Sequence, residues 1–390
     1  MFVIGIDVSK YKHDCIVLND AGEVVRNQFT IANDRSGFNQ LLSVINELGP
    51  SQEKRIGFES TGHYQGNLET FLENAGLPFM ELNALLAHRF KGAGTLRGTK
   101  TDRADALLIA RYLLGTDFKP YPPKAYHIHE LERLTKRRFD LVKQRTLYLE
   151  KITDWLDRCF PEFKPFFGDD LKSATAMFVL SGYGSPSKVA NMDQASYERL
   201  RKVSRGRFSS ARFAELRALA KTTVGSCYEA DEWELGSLLR VYGSIQREVG
   251  ETELLIESAL SKIDSKMPTI RGLGPVSCAS IVAEVGDIGR FPSASKLLAY
   301  AGLDPRVYQS GTMEARGRMN KKGSVVLRRV LMNAAEYLLC CNSVFYDYYR
   351  KKRDEGKPHR VAISHCARKL VRIIYKVETE KVDFDPNLVR

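Results

Sequence analysis

Cysteine is scarce in this sequence, and its spacing suits neither disulfides nor metal binding. The 390 residues contain seven cysteines, an odd number, and no two of them form a Cys-x-x-Cys pair. Disulfide frameworks pair an even number of cysteines, and structural zinc sites place two ligands a few residues apart. The sequence therefore excludes both arrangements and indicates a reducing compartment.

Long apolar runs are also missing. A membrane-spanning helix needs about 20 consecutive apolar residues, and no stretch of this chain approaches that length. The first residues, MFVIGIDVSK, have no basic region ahead of their apolar run, and Asp7 interrupts that run, so they lack the form of a secretory signal. We expect a soluble intracellular protein without membrane contact.

Negative charge is in short supply. Lysine and arginine number 59 against 47 acidic residues, which gives a formal net charge of +12. A polyanion that binds such a protein releases counterions as its phosphates are neutralised. Nucleic acid is therefore the leading class of partner. The hydrophobic fraction of 43% is that of an ordinary globular protein, and the length allows two or three domains.

The first third of the chain has the pattern of an α/β domain. Three runs rich in Val and Ile, with turn residues between the second and third, predict an antiparallel meander. They are FVIGIDVS, HDCIVLND and EVVRNQFTIAND. Helical patterns then alternate with the short strands RIGFES and PFMEL, and a further helix begins near Asp102. This order is that of the ribonuclease H-like fold. The actin and sugar-kinase fold, which also opens with an aspartate on its first strand, is the alternative.

Four acidic residues occupy unusual positions in this pattern. Asp7 interrupts the first apolar strand, and Glu59 ends the strand RIGFES. Asp102 and Asp105 share one side of the predicted helix, where they repel each other unless a cation lies between them. Adjacent central strands would bring all four together. Carboxylates are hard ligands, so we expect Mg²⁺, and two such ions could activate the attacking oxygen and stabilise the leaving one in phosphoryl transfer.

A different architecture follows a proline-rich boundary. Three prolines within residues 120–123 cannot continue a helix. Apolar residues then form one helical stripe over residues 131–155, and a second set repeats every seven residues over 235–263. Two long helices that pair as a coiled coil explain both patterns, either as a hairpin within one chain or as the seam of a homo-oligomer. The stretch between them is mixed and basic.

The last segment is predicted to be mainly α-helical. Gly272 and Gly274 separate two helical patterns as in a helix-hairpin-helix, whose glycine turn and following helix can present backbone amides to a phosphate. Plain turn chemistry explains the same glycines. We predict a ribonuclease H-like catalytic domain at 1–122, a helical coiled-coil region with a basic insertion at 123–266, and a C-terminal domain at 267–390.

Basic residues cluster beside the acidic pair and in the last segment. Arg97, Lys100 and Arg103 surround the acidic pair on the predicted helix and are candidates for holding a phosphate. The last segment has a basic run over residues 316–329. Tyrosines within residues 346–349 follow it and could stack on bases, which favours nucleic-acid contact over a solvated face. The residues of the last segment that we assign to nucleic-acid binding are Gly272, Gly274, Arg316, Arg318, Lys321, Lys322 and Arg328.

Longer motifs resemble a known family. Asp7 in GIDVSK, Glu59 in ESTGHY, and Asp102 and Asp105 in KTDRADA resemble the four acidic residues of DEDD transposases of the insertion sequence 110 family, whose N-terminal domain is RuvC-like. The stretches GLGPVSCASIVAEVGDIGRF, RGRMNKKGSVVLRRVL and GKPHRVAISHCARKLVRIIYKV resemble the family's second domain in order and spacing. Asn320 departs from the family, in which a serine is usual at that position.

The resemblance implies a DNA transposase or recombinase that inserts and excises a mobile element, guided in many members by a bridge RNA. It implies that Ser310, the serine of the family's SG motif, is the nucleophile that forms a phosphoserine link to DNA beside the metal-bound carboxylates. We further expect double-stranded DNA as substrate, a homo-oligomer formed through the coiled coil, and a bacterial or archaeal cytoplasmic location with action at the nucleoid.

Other functions stay open on the residues alone. Ser-Gly after VYQ is ordinary loop composition, and no histidine stands beside Ser310 as a base, so only a metal ion or a carboxylate could activate it. The alternatives are a site-specific DNA invertase of the same family, a RuvC-like nuclease or junction resolvase that uses water, a sugar-kinase-like phosphotransferase, and a nucleic-acid-binding protein without catalysis.

Overall fold

The chain folds as two compact units, Met1–Pro123 and Lys124–Arg390. The computed structural model describes residues 1–49, 53–59, 64–82, 102–118, 120, 126–168, 170–310, 313–319 and 323–388. The further division of the second unit at residue 266 stays a prediction.

Unit 1 contains a five-stranded mixed sheet in the order β3-β2-β1-β4-β5. The strands are β1 Phe2–Val8, β2 Lys12–Asn19, β3 Val24–Ala32, β4 Lys54–Glu59 and β5 Phe79–Leu82. The first three strands form the predicted antiparallel meander, and β4 and β5 run parallel to β1. This order agrees with the ribonuclease H-like expectation and puts β1 at the centre of the sheet.

Helices cover both faces of this sheet. They are α1 Arg35–Glu47, α2 Gly66–Asn74 and α3 Asp102–Gly115. Because side chains alternate across a strand, Ile4 and Ile6 pack with α1 and α2 on one face, whereas Val3 packs with α3 on the other. A strand covered on both faces is apolar at successive positions, which explains the run FVIGI and makes the acidic residue that follows it exceptional.

Unit 2 contains an antiparallel pair of long helices, α4 Tyr126–Cys159 and α10 Glu229–Leu260. Arg138, near the start of α4, pairs with Glu253 near the end of α10 at 2.6 Å between Nη2 and Oε1. Arg158, at the other end of α4, pairs with Asp231 at 3.1 Å. The two predicted helices therefore pack against each other within one chain. A supercoil and a seam between chains stay predictions.

Short helices fill the segment between α4 and α10. They are α5 Phe163–Phe166, α6 Ala174–Gly182, α7 Pro186–Ala190, α8 Gln194–Val203 and α9 Ser210–Lys221. They surround an apolar cluster that includes the fully buried Trp155 and Phe160 of the α4 end. The indole Nε1 of Trp155 donates a 2.8 Å hydrogen bond to the backbone oxygen of Asp231, so the cluster is tied to the first turn of α10.

Where the structure describes it, the rest of unit 2 consists of helices and a hairpin. Its elements are α11 Pro275–Val285, α12 Ala294–Tyr300, β6 Pro305–Ser310, β7 Met313–Met319, α13 Val325–Cys341, α14 Ser343–Asp354 and α15 His359–Glu380. The buried carboxylate of Glu378 accepts hydrogen bonds from Ser265 Oγ at 2.7 Å and Met267 N at 3.0 Å, which fastens the end of α15 to the start of this segment. Across the described ranges, no helix is long and apolar enough to cross a membrane.

Candidate functional site

Two central parallel strands end with one acidic residue each. β1 and β4 pair in register up to Ile6 and Phe58. Asp7 and Glu59 are the next residues of the two strands, and both side chains are half-buried. The residue two positions before each acid approaches α3, and strand side chains alternate. Asp7 and Glu59 are therefore neighbours on the face of the sheet that α3 covers.

α3 lies directly on the backbone of β1. A Cβ atom at Gly5 would lie 2.3 Å from the carbonyl oxygen of Ala106 and 2.6 Å from the amide nitrogen of Ala110. Only glycine allows this approach. Leu114, near the other end of α3, lies by the β2–β3 turn at Gly22. The helix thus runs antiparallel to β1, and its first turn lies at the end of the strand that carries the acid.

That first turn contains the acidic pair predicted from spacing. α3 begins at Asp102, and Asp105 is half-buried one position before the buried Ala106. Residues three apart lie on the same side of a helix, and a helix N-terminus favours negative charge. The side chain of Asp102 lies outside the described residues. The structure thus brings Asp7, Glu59 and the turn that carries Asp105 to one end of the sheet.

The donor set at this end of the sheet fits a hard divalent cation. Carboxylate oxygens are the ligands that Mg²⁺ takes from proteins, and a half-buried set of them is stabilised by bound positive charge. Among the described side chains, no group of three or more His, Cys, Asp or Glu could hold a metal ion. Asp102 is not among those side chains, so the four-carboxylate metal cage stays a prediction.

A fifth carboxylate, which the sequence analysis did not single out, lies beside Asp7. Asp14 pairs with Asp7 across the β1–β2 ladder and is 4% exposed. Thr30 Oγ1 donates a hydrogen bond to one of its oxygens, and Lys12 Nζ lies 3.4 Å from the other. Cross-strand partners share a face, so Asp14 adds charge to the acidic end of the sheet. A charged residue inside the apolar run HDCIVL was the available signal.

His13 and Cys15 flank Asp14 but pack on the opposite face of the sheet. Burial lowers the pKa of His13, whose ring stacks on Phe38 with 5.9 Å between centroids. Burial raises the pKa of the Cys15 thiol, and the carboxylates of Asp14 and Asp7 raise it further. The neutral thiol facing the core serves packing, as expected of cysteines without metal-ligand spacing, and the neutral imidazole of His13 packs on the same face.

Ser310 occupies the tip of the β6–β7 hairpin. It is the last residue of β6 and pairs with Met313, the first residue of β7. Its side chain lies outside the described residues. Ser324, the N-cap of α13, donates from Oγ to Glu284 of α11 at 2.6 Å and from its N–H to the backbone oxygen of Tyr300 at 2.7 Å. The start of α13 is therefore joined to α11 and α12.

The predicted basic contacts are described only in part. Those outside the described residues are Arg97, Lys100, Lys321 and Lys322. Those described by backbone alone are Arg103 on α3 and Arg316 and Arg318 on β7. Arg328 is half-buried in the first turn of α13. Their contacts with nucleic acid stay predictions.

The two glycines of the proposed helix-hairpin-helix have different roles. Gly272 has φ +95°, and a Cβ atom there would lie 2.9 Å from Cys341 Cβ, so packing alone requires glycine. Gly274 caps the N-terminus of α11, and a Cβ atom there would meet nothing within 4 Å. A 3₁₀ turn at Met267–Thr269, not an α-helix, precedes them. The open helix N-terminus fits a phosphate contact, but a full helix-hairpin-helix is not established.

The three tyrosines of α14 differ in availability for stacking. Tyr346 is exposed, whereas Tyr348 packs against the apolar core. The Tyr349 hydroxyl shares a 2.8 Å hydrogen bond with Nδ1 of His359. Of the three, Tyr346 alone offers a largely exposed ring.

Comparison with known proteins identifies the class of protein to which this fold and site belong. A family model described as a transposase matches residues 4–161, and one described as the transposase IS116/IS110/IS902 family matches residues 264–350. Sheet order, paired acidic strand ends and these matches together define a transposase. The chain belongs to the IS110 family of transposases, which removes the sugar-kinase alternative.

Similarity to individual relatives extends over the whole chain. A 42 kDa protein of insertion element IS900 from Mycobacterium paratuberculosis is 26% identical over 400 residues, which cover 98% of this chain and 96% of that protein. A pilin gene-inverting protein of Moraxella lacunata is 21% identical over 404 residues, 99% of this chain and 98% of that protein. Among solved structures, Thermus thermophilus RuvC in complex with a Holliday junction matches at 16% identity with a TM-score of 0.23, covering 31% of this chain and 100% of RuvC.

Proposed function

We propose that the chain is the DNA recombinase of a mobile insertion sequence and that it exchanges strands by Mg²⁺-dependent transesterification. The observation that carries the proposal is the side-by-side position of Asp7 and Glu59, with the first turn of α3 at the same end of the sheet. Clustered carboxylates suit phosphoryl transfer because the cations they bind offset the charge of the attacked phosphate.

Ser310 is the proposed nucleophile. Its Oγ forms a bond to phosphorus, the bond from phosphorus to a deoxyribose oxygen breaks, and that oxygen leaves as a hydroxyl after gaining, through a carboxylate, the proton that the serine gives up. The serine proton passes to a carboxylate of the acidic set. The phosphoserine ester then conserves the energy of the broken bond for rejoining. A deoxyribose hydroxyl attacks the phosphorus of this ester and releases the serine. Two Mg²⁺ ions, bound by Asp7, Glu59, Asp102 and Asp105, would lower the pKa of the attacking hydroxyl and offset phosphate charge.

The test of this chemistry is a covalent adduct. The full-length protein is incubated with DNA of the element ends, its co-purified RNA and Mg²⁺, and the products are searched for DNA linked to serine. We expect an adduct with the wild type and none with Ser310→Ala, whereas Ser258→Ala, at an exposed position of α10, keeps it. An adduct that persists in Ser310→Ala contradicts the assignment. Strand cutting without any adduct favours the water-using nuclease instead, and no metal-dependent rearrangement at all favours a non-catalytic binding protein.

The proposal includes a bridge RNA and a homo-oligomer. Support for a nucleic-acid partner comes from the net charge of +12, with Arg97, Lys100 and Arg103 as phosphate contacts near the acidic set. Sequencing of RNA that co-purifies with the protein tests the guide, because an element-encoded RNA should dominate and its digestion should abolish cutting. Sedimentation of the purified protein tests self-association.

A DNA invertase is the second candidate. Two pilin gene-inverting proteins, from Moraxella lacunata and Moraxella bovis, match 99% of this chain. Both candidates use the same chemistry and differ in which ends they join. A plasmid that carries the element ends separates them, because inversion reverses the intervening segment whereas transposition removes it from the donor molecule.

A further inference from the structure

The turn between β1 and β2, Ser9–Lys12, is held rigidly at the acidic end of the sheet. The N–H of Ser9 donates to the backbone oxygen of Lys12 at 3.2 Å, which closes the turn. Asn33 pins it from the neighbouring chain segment: its backbone N–H donates to the oxygen of Tyr11 at 2.9 Å and its side-chain Nδ2 to the oxygen of Lys10 at 3.1 Å. We call this segment the Tyr11 turn. The Ser9 N–H and the carbonyls of Lys10, Tyr11 and Lys12 are thus used internally, and the side chains of the turn remain to contact a ligand.

The Tyr11 turn displays an exposed aromatic ring beside a lysine. Tyr11 is 75% exposed, and the ammonium nitrogen of Lys10 lies 4.8 Å from its ring centroid. Lys12 is 52% exposed at its side chain and is oriented by the buried carboxylate of Asp14, 3.4 Å away. A single exposed apolar group needs no explanation. An exposed ring beside a lysine, on a turn whose backbone is hydrogen-bonded, can recognise a nucleotide through stacking on a base and charge on the adjacent phosphate.

The position of the turn relates it to the proposed chemistry. Tyr11 follows Asp7 by four residues, which an extended chain spans in at most about 14 Å. Successive phosphates along one strand of a duplex are about 3.4 Å apart along the axis. A strand whose phosphate lies at Asp7 and Glu59 needs about four nucleotides to reach the Tyr11 turn.

We propose that the Tyr11 turn binds an unpaired nucleotide of the DNA strand next to the phosphate that is cut. Tyr11 stacks on the base, and Lys10 contacts a flanking phosphate. The inference rests on the proposed function for the identity of the strand as the one being cut. DNA is favoured over the guide RNA because the turn continues directly from the strand that carries Asp7, where the cut phosphate binds.

The test is single-stranded DNA binding by the full-length protein without Mg²⁺. The probe is a fluorescein-labelled 30-nucleotide DNA of mixed sequence, followed by anisotropy over a salt series. We expect Tyr11→Ala to weaken binding about tenfold and Tyr11→Phe to retain wild-type affinity, because the ring and not the hydroxyl stacks. Lys10→Gln should make the dependence of log affinity on log salt shallower by about 0.7, the contribution of one phosphate contact in a single strand.

The matched control is Tyr228→Ala. Tyr228 is 72% exposed but precedes an acidic helix turn with Glu229, Asp231 and Glu232, where DNA is repelled. This variant should bind the probe like the wild type. Equal loss in Tyr228→Ala and Tyr11→Ala, or equal loss in Tyr11→Phe and Tyr11→Ala, overturns the stacking role. A loss confined to an RNA probe of the same sequence overturns the assignment to DNA.

This outcome is separable from that of the proposed function. Without Mg²⁺ the binding assay does not depend on strand cutting. Weak binding by Tyr11→Ala together with no Mg²⁺-dependent cutting by the wild type removes the recombinase proposal and keeps the binding role of the turn. Full binding by Tyr11→Ala together with Ser310-dependent cutting keeps the recombinase proposal and removes the binding role of the turn.

Discussion

Asp7 places a half-buried carboxylate directly after an apolar strand segment. β1 is the central strand of a sheet with helices on both faces, and every residue from Val3 to Ile6 is buried. An ionised group there loses hydration, and the carboxylate of Asp14 on the next strand repels the carboxylate of Asp7. Lys12 pairs with Asp14 and offsets part of its charge. Such an arrangement is relieved by a bound cation. The neighbouring carboxylates of Asp7 and Asp14 therefore support the proposed use of Mg²⁺ by unit 1.

Replacing Asp7 with asparagine tests this proposed use of Mg²⁺. Asp7→Asn keeps the shape of the side chain, so the fold and the thermal midpoint without metal should persist, while the charge that would bind Mg²⁺ is gone. Mg²⁺-dependent strand cutting should fall about 1,000-fold, the equivalent of about 4 kcal/mol of lost charge stabilisation. Rates are measured by gel assay and midpoints by calorimetry.

The matched control for this variant is Asp20→Asn, in the exposed β2–β3 turn at the opposite end of the sheet. It should leave both the cutting rate and the response to Mg²⁺ unchanged. Cutting by Asp7→Asn at the wild-type rate would remove Asp7 from the metal site.

At the scale of elements, the acidic end of the sheet depends on how closely α3 approaches β1. Gly5 allows the helix backbone to touch the strand, and the buried stripe of α3 then continues along it through Ala106, Ile109, Ala110 and Leu113. The same stripe extended back by one turn includes Asp102 and Asp105. Packing of the apolar stripe thus determines where the acidic pair lies.

Gly5→Ala should separate the helix from the sheet. The added methyl group would lie 2.3 Å from the carbonyl oxygen of Ala106, a backbone atom that cannot move alone. We expect a loss of about 1–3 kcal/mol in the free energy of unfolding, measured in urea. Gly66→Ala is the control, because a Cβ atom there meets nothing within 4 Å and the helix gains from alanine. Equal stability of the wild type and Gly5→Ala would mean that the close approach is not required.

Glu162 links the end of α4 to the segment before α10 and makes stability depend on pH. Burial tends to raise its pKa, but hydrogen bonds from Thr223 Oγ1 at 2.6 Å and Val224 N at 3.0 Å outweigh burial and lower it below the ordinary value of 4.5. A lowered pKa in the folded state stabilises the fold above the unfolded pKa, and this contribution is lost as the pH falls through the folded pKa.

Glu162→Gln should therefore destabilise the protein at pH 7 and lose this effect in acid. The measurement is urea unfolding of both proteins between pH 7 and pH 3, where the difference in unfolding free energy should shrink. Glu215→Gln, exposed on α9, serves as the control and should show no such trend. A difference that stays constant over this range would exclude a contribution from the ionised carboxylate.

Periodicity predicts most elements of unit 1 but not every carboxylate at its acidic end. The alternation of strands and helices places Asp7, Glu59 and the start of α3 correctly because each belongs to a regular element. Asp14 is missed because a strand buried on both faces loses its alternation, so an acidic residue in it has no assigned face. Heptad spacing predicts the long helices of unit 2. Their antiparallel pairing depends on contacts such as Arg138 with Glu253, more than 100 residues apart.

At the scale of the whole molecule, charge links the two units to one kind of substrate. The excess of 12 positive charges is a property of the full chain, and the exposed basic end of α14 contributes Lys351 and Arg353 to it. Charge of this kind provides affinity without sequence preference. Selection of a particular DNA site must then come from elsewhere, which agrees with the proposed guide RNA.

Salt should therefore control duplex binding strongly. For contact with six or more phosphates, affinity for a duplex of arbitrary sequence should fall about 1,000-fold between 50 and 200 mM salt. Lys351→Gln should make the slope of log affinity against log salt shallower by about 0.9. Lys188→Gln is the control, since its ammonium group already pairs with Glu232 at 2.6 Å and should leave the slope unchanged. A wild-type slope near zero would show that the positive charge is not used for DNA, and an unchanged slope in Lys351→Gln would place the contact surface away from α14.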